Sequence, residues 1–192
     1  MNPAEGPASP TDLATRRIQW RRELLNLRAT MPAAARAEAE LTIRAVLTAH
    51  LAEFEGVLGF YWPIQHEYDA RPAVTEWLAA SSRRRAVLPV VVKRAAPLKF
   101  REWTPATTMQ SAGFGTSVPA SGNWTDPDAL LVPLVGFDDQ HYRLGYGGGY
   151  YDRTLAALPR RPHTAGIGFK VGRLESIEPQ SYDLKLDRLI IG

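Results

Sequence analysis

Residues 143 to 153, RLGYGGGYYDR, put four glycines, three tyrosines, two arginines and one aspartate into eleven positions. Glycine has no Cβ, so Gly145, Gly147, Gly148 and Gly149 permit positive φ and let an anion come close to the backbone. Successive amide N–H groups there can form a concave anion site, reinforced by the N-terminus of a following helix. Arg143 adds a planar fork of donors suited to phosphate oxygens. Asp152, in the first turn of that helix, can hold Mg²⁺ through one oxygen or a water; it can equally be an acidic residue favoured by the helix dipole. The stretch has no Gly-Lys-Ser/Thr, so it is not a Walker A loop. It comes late in the chain and lacks an acidic residue about 20 positions on, so it is a poor dinucleotide fingerprint. The plainer alternative is a glycine-rich turn in which Tyr150 and Tyr151 only pack.

The flanking residues say what must position this segment. ALLVPLV (129–135) is a short apolar run that reads as a buried strand leading into it, and GYYDRTLAAL reads as the helix leading out, ending before Pro159. GVLGFYW (56–62), RAVLPVVV, LKFREW, TAGIGF and DRLIIG read as further strands, and RPAVTEWLAASS as a helix. Two helices are expected near the start, from Asp12 or Thr15 to about Met31 and from Ala33 to Phe54. On the first, Leu13, Trp20, Leu24, Leu27 and Met31 share a stripe about 60° wide, with Arg17, Arg21 and Arg28 in a band beside it. Residues 104–129, rich in Thr, Ser, Gly and Pro, read as a long excursion. Helices alternating with short apolar strands predict an α/β fold: a single three-layer α/β/α domain around a mainly parallel twisted sheet. Residues 1–10 are expected to be a mobile segment and 11–192 the domain.

Composition narrows the function classes. A chain of 192 residues with 45% hydrophobic and 22% charged residues is of globular type, and it contains no cysteine, which removes disulfides and thiolate chemistry. No apolar run is long enough to span a membrane, and the N-terminus does not read as a secretion signal, so a cytoplasmic location is expected. The net charge is only +3, too little for a dedicated nucleic-acid binder despite the arginine clusters. The four histidines show no metal-ligand spacing.

LLVPLVGFDDQHYRLGYGGGYYDRTL, residues 130–155, resembles the signature of the 5-formyltetrahydrofolate cyclo-ligase family, also called 5,10-methenyltetrahydrofolate synthetases. Weaker similarity covers WRRELLNLR, FYWPIQHEYD, RRAVLPVV and IEPQSYDLKLDRLI. The resemblance implies an enzyme that converts 5-formyltetrahydrofolate to 5,10-methenyltetrahydrofolate while hydrolysing Mg·ATP to ADP and phosphate. In the family's logic the formyl oxygen attacks the γ-phosphoryl group, N10 closes on the activated carbon, and phosphate leaves. Carried over by position, Arg143, Gly145, Gly147, Gly148, Gly149 and Tyr150 would line the ATP phosphates. Arg17 and Arg21, about 40° apart on the helical wheel, would reach them from the first helix. Asp152 would hold Mg²⁺, and Arg143, Tyr151 and Asp152 would form the catalytic group. Phe60, Tyr61, Trp62, Glu67, Tyr150 and Tyr151 would bind the folate. Reduced folate and ATP are the expected partners, with no nucleic acid and no membrane.

The chain departs from the family pattern at several positions. Arg17 stands where lysine is usual. Val118, in GTSVP, aligns with a glutamate, Gly172 with a glutamine, and Tyr182 with a frequent histidine. On this alignment the folate half of the site has changed more than the nucleotide half. The departures keep open a second reading, a relative that binds nucleotide or folate without cyclising.

Overall fold

The computed structural model describes residues 10–192; the N-terminal segment expected to be mobile lies, up to residue 9, outside them. In chain order the elements are α1 (Pro10–Ala29), α2 (Ala33–Leu51), β1 (Gly56–Gly59), α3 (Arg71–Ala79), β2 (Arg84–Val90), β3 (Lys99–Trp103), β4 (Met109–Ser111), β5 (Ser117–Pro119), β6 (Ala129–Pro133), β7 (Gly136–Phe137), β8 (Arg143–Leu144), α4 (Tyr150–Ala157), β9 (His163–Gly168) and β10 (Arg188–Ile191). Proline at a first helical position has a suitable φ and lacks only a donor that would go unused there. It opens α1 at Pro10, earlier than the sequence suggests, and Pro32 precedes α2.

Six strands form one sheet in the order β10-β9-β6-β1-β2-β3, parallel throughout except for the antiparallel edge strand β3. Side chains alternate across a strand, so each central strand feeds both faces. Leu58, Ala86, Leu88 and Leu131 face one cluster with α2 and α3, which contribute Ile43, Leu47, Val74 and Trp77. Val57, Val87, Leu130 and Val132 face another with Leu155 of α4. Each fully buried leucine or isoleucine contributes about 1.5–3 kcal/mol relative to exposure. This is the expected α/β fold with helices on both faces.

The crossovers matter more for function than the core. From β1 the chain passes through α3 to β2 on one side; from β6 it passes through α4 to β9 on the other. The two connections therefore diverge between the adjacent strands β1 and β6. In open parallel sheets, ligands bind beyond the carboxyl ends of the strands at such a switch point. The segments leaving those two ends contain Glu67 and the 143–152 stretch.

Two sequence expectations change. The 104–129 excursion contains a small antiparallel pair, β4 with β5, and Trp124 bridges to Arg101 on β3. On α1, Leu27 is 49% exposed, whereas Arg17 and Arg28 are buried. The buried arc is shifted toward the basic band because both guanidiniums find carbonyl or carboxylate acceptors.

Candidate active site

After β6, the short pair β7–β8 turns the chain back. Asp138, almost fully buried, closes this turn: Oδ1 accepts from the amides of Gln140 and Tyr142, each at 3.1 Å, and Oδ2 from the amide of Ile177 at 3.1 Å. That turn delivers Arg143 on β8. Gly145–Gly149 follow, with φ of +90° at Gly147 and +63° at Gly149, which caps the start of α4. A left-handed cap at this point is disfavoured for residues with a Cβ and is open to glycine.

Around this loop lies an open cavity of about 890 Å³, between Ala14, Arg17, Ile18, Arg21, Arg22 and Leu25 of α1 and residues 143–152, with Tyr182 and Asp183 at its rim. Small-ligand pockets are commonly about 300–1,000 Å³. Arg143, Gly145, Gly147, Gly148, Gly149, Tyr150, Tyr151 and Asp152, all singled out in the sequence, line it together.

The cations differ in what they are free to do. Arg143 is buried; its Nη2 lies 2.8 Å from Asp152 Oδ2, and Nη1 donates to the Leu184 carbonyl at 3.2 Å. The other Asp152 oxygen accepts from the Leu184 amide at 3.2 Å. Arg21 Nε donates to the Gly145 carbonyl at 2.7 Å, which ties α1 to the loop. Burial, then the neighbouring Arg17 charge, pulls the Arg21 pKa below its ordinary value; a bound anion would relieve both. Arg17 is engaged otherwise. It donates to the Ile177 and Glu178 carbonyls at 3.2 and 2.8 Å and pairs with Asp183 at 2.6 Å. Arg17 still lines the cavity, with its donors on these acceptors.

The aromatic residues expected at the folate separate into three groups. Tyr150 and Tyr151 line the cavity. Phe60 and Tyr61 do not: Phe60 meets Trp103 edge-on at 5.0 Å between ring centroids, and the Tyr61 hydroxyl donates to the Tyr68 carbonyl at 3.0 Å. Both are core residues with no open face for stacking. Trp62 lies under the Arg71 guanidinium, 4.4 Å from the ring centroid, and lines a different cavity of about 560 Å³ with Trp103 and Met109.

Glu67 is buried and meets the loop through a residue to which sequence reasoning assigns no role. The Tyr146 hydroxyl donates to Glu67 Oε1 at 2.7 Å, and the Ile64 amide donates to Oε2 at 2.9 Å. Arg28 Nη2 donates to the same tyrosine oxygen at 2.7 Å, while its other nitrogens hold the Gln65 and Leu134 carbonyls. Burial raises the Glu67 pKa, opposed by these donors and by the Arg28 charge. Burial, then the Glu67 charge, also raises the Tyr146 and Tyr151 hydroxyls well above their ordinary values. The Glu67 turn is strained: Gln65 and His66 have φ of +45° and +61°. Strain of this kind costs of order 1–3 kcal/mol per residue and gathers at functional sites.

Residues 14–192 match the model of the 5-formyltetrahydrofolate cyclo-ligase family. The chain belongs to that family of enzymes. It is 25% identical over 185 residues to a 5-formyltetrahydrofolate cyclo-ligase of Haemophilus influenzae, covering 92% of this chain and 98% of that protein. A local match to the cyclo-ligase of Mycoplasma pneumoniae is 41% identical over 63 residues, 33% of this chain and 38% of that relative's length. The solved 5,10-methenyltetrahydrofolate synthetase of Mycoplasma pneumoniae superimposes with a TM-score of 0.74 at 26% identity, covering 91% of this chain and 97% of that one.

Of the four departures from the cyclo-ligase pattern, Arg17 and Tyr182 line the cavity and Val118 and Gly172 do not. Val118 is buried in β5 and Gly172 packs where a Cβ would meet the Val135 carbonyl oxygen at 2.9 Å; neither lines it. Tyr182, 66% exposed, stands at the rim.

Proposed function

We propose that the protein is a 5-formyltetrahydrofolate cyclo-ligase, using ATP to close 5-formyltetrahydrofolate to 5,10-methenyltetrahydrofolate. The observation that carries this is the cavity beside the carboxyl end of β6, which brings the glycine loop together with Arg21, Arg143, Asp152, Tyr150 and Tyr151. In this reading residues 11–192 work as one unit, in the cytoplasm, on small-molecule substrates only, without nucleic acid or membrane.

The triphosphate lies along the Gly147–Gly149 amides with Arg143 and Arg21 beside it, and the pterin against Tyr150 and Tyr151. The formyl oxygen attacks the γ-phosphorus, forming a P–O bond as the bond to ADP breaks. N10 then adds to the formyl carbon and loses its proton, and the C–O bond breaks, so the oxygen departs with phosphate. The protein's task is to align the two substrates in line and neutralise charge, as in phosphoryl transfer generally.

Asp152 fits a role as holder of Mg²⁺. Its side chain is 21% exposed to the cavity, and each oxygen, already bonded once, keeps a lone pair. Among the described residues no group of three or more His, Asp or Glu forms a protein-only metal site; one carboxylate plus substrate phosphates is an ordinary Mg²⁺ arrangement. When bound, the ion neutralises phosphate charge.

The alternative of a non-cyclising relative rests on the altered folate positions; of these, Tyr182 lines the cavity and Val118 and Gly172 do not. Release of one ADP per folate consumed, absent without 5-formyltetrahydrofolate, tests the proposal. ADP release that ignores the folate would overturn it.

A further inference from the structure

Tyr146 lines the cavity, whereas Glu67 does not; the carboxylate lies one hydrogen bond behind the tyrosine hydroxyl. The polarity of this chain of bonds is fixed by chemistry. Arg28 can only donate, so the Tyr146 oxygen accepts from it, and its own proton points to Glu67 Oε1. The other Glu67 oxygen accepts from the Ile64 amide. Each Glu67 oxygen keeps a lone pair, so what bars an N–H donor coming from the cavity is position: Tyr146 lines the cavity and stands in front of the carboxylate, held there by this bond.

Tyr146 is also part of the glycine loop, between Gly145, held by Arg21, and Gly147 at φ +90°. Helix α1 therefore grips this loop twice, through Arg21 at the backbone and through Arg28 at the tyrosine hydroxyl. A phosphate that engages the Gly147–Gly149 amides acts on backbone continuous with Tyr146. A displacement of that backbone would also move the tyrosine that holds Glu67.

We propose that Tyr146 is a positioning residue that couples the two halves of the site: it covers Glu67 while the glycine loop is empty and uncovers it when the loop engages nucleotide phosphate. This rests on the folate and ATP reading above and deepens it, since it makes nucleotide binding prepare the folate carboxylate. The cost of breaking the Tyr146–Glu67 bond is met by the nucleotide, and folate affinity rises when it has been met.

Two measurements test this without turnover. The first is the affinity for 5-formyltetrahydrofolate with and without a non-hydrolysable ATP analogue. In the wild type the analogue tightens folate binding about 10-fold, within the usual range of coupling between sites. In Tyr146→Phe, folate alone binds nearly as tightly as in the presence of the analogue, and the ratio falls toward one. A wild-type ratio of one, or an unchanged ratio in Tyr146→Phe, overturns the proposal.

The second needs no folate: a ¹³C NMR titration of the Glu67 carboxyl. The charged and titratable groups around it are Arg28, Arg36, Tyr61, Tyr146 and Tyr151. Removing the tyrosine donor raises the Glu67 pKa, so the analogue alone moves the wild type toward the Tyr146→Phe value and leaves the variant unmoved. An analogue that shifts both equally, or neither, contradicts the coupling. Tyr146→Met serves the same purpose if the phenylalanine variant misfolds. Because this titration stands whether or not folate binds, loss of the cyclo-ligase reading and loss of the Tyr146 coupling give different results.

Discussion

Arg143 Nη2 sits 2.8 Å from Asp152 Oδ2, and both side chains are anchored to Leu184, one to its carbonyl and one to its amide. The cation expected at phosphate and the carboxylate expected at Mg²⁺ are thus positioned by each other. Arg143→Ala removes a charged donor from the cavity and leaves Asp152 half-buried without its partner. The KM for ATP should rise on the order of 10–100-fold, and stability should fall by roughly 3 kcal/mol. Kinetics at limiting ATP, compared with a thermal melt, separate the two effects; an unchanged KM would remove Arg143 from the nucleotide site.

Asp152→Asn keeps the shape of the side chain and removes its charge. The Mg²⁺ concentration for half-maximal activity should increase several-fold, read by titrating the ion at fixed ATP. A purely structural aspartate would lower the melting temperature without moving that midpoint.

Arg17 and Arg21 are one helical turn apart and should behave differently. Arg17 holds Asp183 and two carbonyls, so Arg17→Ala should cost about 3 kcal/mol, or roughly 6–12 °C in Tm for a chain of this size. Arg21→Ala loses one carbonyl contact, so its main effect should be a higher KM for ATP. The opposite assignment in paired melts and kinetics would reverse their roles.

The loop glycines make a similar contrast. An alanine Cβ at Gly145 would meet nothing within 4 Å, and its φ is not in the left-handed region. Gly145→Ala should therefore melt like the wild type, and any loss of ATP use would report a ligand close to the backbone. Gly149→Ala forces a Cβ into φ +63° at a cost of about 1–2 kcal/mol, so it should lower Tm as well.

Much of this arrangement is legible in the sequence, and the remainder is lost for a physical reason. Short apolar runs bounded by turn residues indicate the parallel sheet, since a strand buried on both faces needs no alternation. The glycine loop is local, so its residues and their order are visible together. Partnerships across the chain are not. Arg17 meets Asp183 from 166 positions away, and Tyr146 meets Glu67 from 79. Periodicity places Arg17 and Arg28 beside an apolar seam and makes Leu27 part of it, because hydropathy does not record that a guanidinium with enough acceptors can be buried. Aromatic residues at the end of β1 look alike in sequence; only the packing separates the core pair, Phe60 and Tyr61, from Trp62.

Glu67 yields a pH prediction. Its pKa in the fold is raised above the ordinary 4.5, chiefly by burial, so the folded protein holds this proton more tightly than the unfolded chain does. Its ionisation therefore costs stability as pH rises from 4.5 to the folded value, after which the cost is constant. Relative to Glu67→Gln, the wild type should lose Tm across that window and not below it. A difference in Tm that is flat with pH would mean that burial does not govern this carboxyl.

The central claim is the cyclisation itself. The most direct measurement follows the near-ultraviolet absorbance of methenyltetrahydrofolate after mixing purified protein with 5-formyltetrahydrofolate, ATP and Mg²⁺. Absorbance should grow only when all three are present with the protein. No growth from folded protein that binds both ATP and the folate would contradict that claim.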